Sequence, residues 1–172
     1  MGVKEFLKYK VKRFISSLYP GRKYVLRYTD KGKILWYVVG KAASRTVLFH
    51  LRSNYADIRT FGTYPVVPWL WKGYKKIVVV RDDNERWESA HREKVLMNKI
   101  WTEEEYNEHM SNRYEEDADI HVKPCHMCYD PKQVDIFTDV DHLDELFKEL
   151  GLYVGKIERI NATKSPNNSH SN

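Results

Sequence analysis

Apolar residues at Val3, Phe6, Leu7, Val11, Phe14, Ile15 and Leu18 recur at steps of three and four, so the chain opens on a predicted amphipathic helix. Lys4, Lys8, Lys12 and Arg13 fill the rest of its surface, and Pro20-Gly21 ends it. Its apolar face is expected to dock on the β-structure that follows. From Arg22 to Arg81 the pattern shortens to strands. Tyr24–Tyr28 and Ile34–Val39 flank a turn at Asp30 to Gly32, which predicts a hairpin. Arg45 to Arg52 and Tyr55 to Phe61 read as a second strand pair around Ser53-Asn54. Lys76 to Val80 is a continuous β-branched run suited to a position buried on both faces.

Beyond Arg81 the helical period returns. Asn84 through Trp101 reads as one helix, with Trp87, Ala90, Val95, Met97, Ile100 and Trp101 on its apolar side. Thr102-Glu103-Glu104-Glu105 has the spacing of a capping box, so a second helix is expected from Glu103 to about Tyr114. Residues 119–123 look like a short strand, as do 134–137. Asp139 or Asp141 should cap a helix from His142 to Leu150 that Gly151 closes. Leu152 to Ile160 reads as a last strand, and the Ser/Asn-rich tail from Asn161 as disordered. The expected architecture is therefore α+β: an N-terminal amphipathic helix, a small twisted antiparallel sheet or partly open barrel, then helices and a short βαβ-like C-terminal part.

Charge divides the chain where the pattern changes. Residues 1–80 hold 17 Lys/Arg against 3 Asp/Glu, a net of +14, whereas residues 81–172 hold 12 against 21, a net of −9. This predicts a basic β-rich half (1–81), an acidic helical half (82–160) and the tail (161–172). Such asymmetry suits a polyanionic partner or two halves that face each other. No apolar run approaches the roughly 18 residues that span a bilayer, and lysines interrupt any signal-peptide core at the N-terminus. A cytoplasmic protein with reduced cysteines is the expectation.

Rings and cations interleave in the basic half. Arg27, Trp36, Arg45, Arg52, Arg59, Trp71, Lys72, Lys75 and Lys76 are the candidate nucleic-acid contacts, with rings for base stacking and cations for phosphates. The same rings are also ordinary core material. Both cysteines lie in Cys125-His126-Met127-Cys128, a spacing that can bring two thiolates onto one zinc ion with His121 or His91 completing the set. Two reduced thiols in a loop fit the same spacing.

His91-Arg92-Glu93 followed by Pro124-Cys125-His126-Met127-Cys128 resembles the H-x-E…P-C-x-x-C signature of zinc-dependent cytidine and adenosine deaminases, over eight residues. The resemblance implies that His91, Cys125 and Cys128 hold zinc and that Glu93 shuttles the proton of the metal-bound water. Residues two apart on a helix point about 200° apart. A helix capped at Asp83 or Asn84 is thus expected to turn Glu93 away from Cys125. The leading expectation is a non-enzymatic accessory or regulatory protein that binds nucleic acid through its basic half. The alternatives are a zinc-dependent hydrolase of the deaminase type and an adaptor whose charge asymmetry serves a protein partner.

Overall fold

Five strands, β1 (Tyr24–Thr29), β2 (Ile34–Tyr37), β3 (Arg59–Tyr64), β4 (Lys75–Val80) and β5 (Ile136–Asp139), form one open sheet in the order β3-β1-β2-β4-β5 in the computed structural model, which describes residues 3–152. β1 is antiparallel to both neighbours, while β2, β4 and β5 are parallel, so β1 alone runs against the other four. The architecture is α+β as expected, but the sheet is mixed where the sequence pointed to an antiparallel one. β2 and β4 hold its centre because both are apolar on both faces: all four residues of β2 are buried, as are Ile77, Val78 and Val79 of β4. The hairpin of β1 and β2 forms where the turn residues place it. The Asp57 carboxylate ties that turn by accepting from Thr29 Oγ1 (2.7 Å) and from the Asp30 and Lys31 amides (3.0 Å each).

Five helices flank the sheet: α1 (Val3–Leu18), α2 (Ser44–Asn54), α3 (Asp83–His91), α4 (Glu103–Ser111) and α5 (Leu143–Glu149). The segment read as a strand from Arg45 to Arg52 is α2. Its Val47 and Leu51, four residues apart, are both fully buried in one cluster with Trp36, Ile77 and Val79 of the sheet and Leu146 and Phe147 of α5. A π-helical turn, Arg92–Met97, prolongs α3, and the capping box of Thr102 and Glu105 starts α4 as its spacing required. α4 ends at Ser111 rather than Tyr114, and residues 119–123 form turns rather than a strand. The strand and tail expected beyond Leu152 lie outside the described residues. Among those residues no helix is long and apolar enough to cross a membrane.

The orientation of α1 reverses the expectation. Its apolar residues Val3 (85 % exposed), Leu7 (62 %), Phe14 (65 %) and Leu18 (69 %) face solvent, and its polar side docks. Tyr9, Lys12, Arg13 and the fully buried Ser16 supply that inner side. The reason is a socket of rings and one carboxylate. Lys12 Nζ sits 4.6 to 5.0 Å from the ring centroids of Trp71, Tyr74 and Tyr28, and 3.0 Å from Asp30 Oδ1. Arg13 donates to the Tyr64 hydroxyl at 3.0 Å, and Tyr9 stacks on Tyr28.

Burial pushes the Asp30 carboxyl upward, yet the hydrogen bonds of Tyr74 and Lys12 more than offset this and hold it below its ordinary value. A depressed carboxyl stabilises the fold above its unfolded pKa, and that contribution is lost as pH falls through the folded value. Asp30→Asn is therefore expected to flatten the loss of thermal stability below about pH 4, near the ordinary carboxylate pKa. Parallel Tm-against-pH curves for wild type and variant would contradict this.

Candidate functional site

The chain leaves β2 and β4 in opposite directions. From β2 it runs through α2 to β3 at one edge of the sheet, and from β4 through α3 and α4 to β5 at the other. The carboxyl ends of β2 and β4 thus flank a topological switch point, the place where open sheets with parallel strands receive ligands. Two connections line it: residues 38–43 between β2 and α2, and Arg81-Asp82 between β4 and α3.

The first connection reads Val38-Val39-Gly40-Lys41-Ala42-Ala43-Ser44. Lys41 (φ 61°) and Ala43 (φ 52°) both take the left-handed conformation, and the Ala42 amide between them donates back to Val39 O at 3.4 Å. Ser44 Oγ donates to Val39 O at 2.7 Å and closes the turn. α2 then begins with no side-chain cap and no acid in its first turn. The other long helices after the sheet differ: Asp82 caps α3 through the Asn84 and Glu85 amides, and Thr102 caps α4. Glu93, from the π-helical turn, forms an ion pair with Lys41 and lies 3.8 Å from Arg45 Nη2. Burial would raise the Glu93 pKa, but Lys41 first, then Arg45 and His121, hold it below its ordinary value. Burial lowers the pKa of Lys41, with Glu93 opposing.

A buried arginine fixes this loop against a segment eighty residues away. Arg86, fully buried on α3, donates to Gly40 O (2.8 Å), Lys123 O (3.0 Å), Ile120 O (3.1 Å) and Asp83 Oδ1 (2.6 Å). Asp83 also accepts the Cys125 amide, and Trp87 Nε1 donates to Val122 O. Gly40 passes so close to the turn that a Cβ there would stand 2.6 Å from Ile120 O and 3.1 Å from His121 Cα. His121 therefore lies beside the Gly40-Lys41 turn, and Asp119 Oδ1 takes hydrogen bonds from its backbone amide (2.8 Å) and meets its Nδ1 (2.7 Å). A cleft of about 240 Å³ opens on the same segment, lined by Tyr24, Val38, Thr63, Ile120, Lys123 and Met127 among others.

The residues proposed for zinc do not converge. His91 Nε2 pairs with Glu103 at 2.9 Å, and His121 with Asp119. Cys125 begins a short 3-10 turn, and the Cys128 thiol points to the Pro124 (3.5 Å) and Lys123 (3.9 Å) carbonyls. Burial raises the pKa of both thiols, that of Cys128 to about 11. Among the described residues no three His, Cys, Asp or Glu side chains are grouped to hold a metal ion. Glu93 meets Lys41 and Arg45, not the cysteines.

Most of the candidate nucleic-acid contacts are buried or engaged within the protein. Trp36 and Trp71 are core residues, 1 % and 0 % exposed, so their rings stack on protein. Arg27 lies over Trp36, Arg59 pairs with Glu5, Lys75 Nζ reaches Glu149 O, and Lys76 binds Asp135. Lys72 and Arg52 are exposed, Arg52 close enough to Arg27 to add to the lowering of its pKa by burial, and Arg45 stands at the switch point. Reading the sequence missed Lys41, Arg81, Arg86 and Asp119. The Gly40-Lys41…Ser44 spacing was the available signal, and it means something only when a helix follows. No protein-family model, curated protein or solved structure matches the chain.

Proposed function

We propose that the protein binds a phosphate-bearing ligand of the nucleotide class outside the carboxyl ends of β2 and β4. The observation that carries this reading is the start of α2, an uncapped helix entered through two left-handed residues at the switch point, with Lys41 and Arg45 beside it. Such a terminus presents about half a positive charge and outward amides to an anion. Arg81, whose Nε donates to Glu85 at 2.7 Å, follows the neighbouring strand β4, about 5 Å over at ordinary strand spacing, a second cation for a ligand with two anionic groups to recruit. Glu93 holds the two cations until the anion displaces it. His121, oriented through Nδ1 by Asp119, stands beside the same turn, and Lys41 supplies positive charge to the bound phosphate.

A compact site of this kind supports a phosphorylated small molecule over a polynucleotide, because most of the candidate nucleic-acid contacts are buried or already engaged within the protein. Calorimetry against inorganic phosphate, pyrophosphate, and nucleosides with no, one or two phosphates tests it. At least one phosphorylated nucleoside should bind more tightly than phosphate alone, and the unphosphorylated nucleoside should not bind. Silence across the panel, with steeply salt-dependent binding of single-stranded DNA or RNA instead, would replace this reading with the polynucleotide one.

A further inference from the structure

We infer that the outward face of α1 is a docking surface for an anionic lipid bilayer, on which the helix lies in the plane of the headgroups. The helix shows its apolar residues to solvent: Val3, Phe6, Leu7, Val11, Phe14 and Leu18 are 45 to 85 % exposed. The opposite face is fully engaged, through Lys12 with Asp30 and three rings, Arg13 with Tyr64, and Tyr9 with Thr60 O. Rotation of α1 to hide the stripe would strip Lys12 and Asp30 of each other, so the exposure is built into the docking.

Three properties select the occupant. Lys4, Lys8 and Lys10 are exposed on the same helix and border the stripe, while its one acid, Glu5, is held by Arg59 toward the protein. Apolar centre and lysine borders are the pattern of a helix lying in a membrane interface, where ammonium groups reach the headgroups. Leu7, Val11, Phe14 and Leu18 keep the alternating steps of a heptad seam, but the seam runs for less than two heptads, short of the roughly three to four that mark a coiled coil, and Lys4 stands where it would continue toward the N-terminus. This disfavours a coiled-coil partner. A second copy would set lysine rows against lysine rows, whereas anionic lipid complements them. At 16 residues the helix is too short to span a bilayer, so it lies on the surface.

Flotation of the full chain with vesicles of phosphatidylcholine, alone or with about 30 % phosphatidylserine, tests this. The protein should float with the anionic vesicles and at least about tenfold less with the neutral ones. Phe14→Glu and Leu7→Glu should each cut flotation about tenfold, and Lys8→Glu roughly fivefold, with the near-UV spectrum unchanged. Leu7→Gln substitutes for any glutamate variant that loses that spectrum. No flotation with either vesicle overturns the proposal. Equal flotation of the apolar variants overturns it too, since charge alone would then explain adsorption. A dimer in solution that Phe14→Glu dissolves, without flotation, would assign the stripe to a second copy. None of these outcomes bears on ligand binding at Lys41.

Discussion

Arg86→Leu is expected to destabilise the protein by about 3–5 kcal/mol, the usual cost of removing one partner from a buried, hydrogen-bonded charge pair. Four acceptors lose their donor together: the carbonyls of Gly40, Ile120 and Lys123, and the Asp83 carboxylate. Each buried carbonyl left unpaired costs about 1–3 kcal/mol, against a total stability of about 5–15 kcal/mol for a domain. Arg86→Lys keeps the charge but lacks the planar fork that reaches several acceptors at once, so it should recover only part of the loss. Urea unfolding monitored by tryptophan fluorescence measures both. A loss under about 1 kcal/mol for Arg86→Leu would mean that solvent or neighbours satisfy these acceptors.

Lys41→Ala is expected to weaken binding of the phosphorylated nucleoside about 30- to 100-fold, the equivalent of one charge-assisted contact of about 2–3 kcal/mol. Glu93→Gln should move affinity the other way by several-fold, because the carboxylate that now holds Lys41 and Arg45 competes with the ligand for them. Opposite signs from two partners of one ion pair separate a ligand contact from a structural link, which would lose function in both variants. Affinities unchanged in both would place the anion elsewhere.

Much of the fold is legible where local chemistry is self-sufficient. The hairpin of β1 and β2, the buried run of β4, and the Thr102–Glu105 box are specified within a few residues. Ser44 to Asn54 is not, because Val47, Phe49 and Leu51 alternate as a strand would while Val47 and Leu51 also share a helix face. Only the sheet decides, by burying Val47 and Leu51 and leaving Phe49 52 % exposed. That single ambiguity hid the site: without α2, Gly40-Lys41…Ser44 precedes no helix and has no amides to offer. The α1 reversal was equally out of reach, since the socket for Lys12 is made of Asp30, Tyr28, Trp71 and Tyr74, distant in sequence. The cysteine pair drew attention by residue type, yet the Cys128 thiol turns to the Lys123 and Pro124 carbonyls.

The close passage of Gly40 beneath Ile120 has a consequence for the order of events as the chain emerges from a ribosome. β1, β2 and α2 are complete once Asn54 is made, but the carbonyls that Arg86 ties to Gly40 belong to residues made much later. Until residues 120–123 arrive, the Lys41 turn has a clamp with nothing to close on. The nascent hairpin therefore waits with an unclamped Gly40-Lys41 turn, and closure pairs segments about eighty residues apart, a slow step for a small domain. A prematurely terminated chain that stops before residue 120 would carry Lys41 and Arg45 but lack the Ile120 and Lys123 carbonyls through which Arg86 holds Gly40 in place.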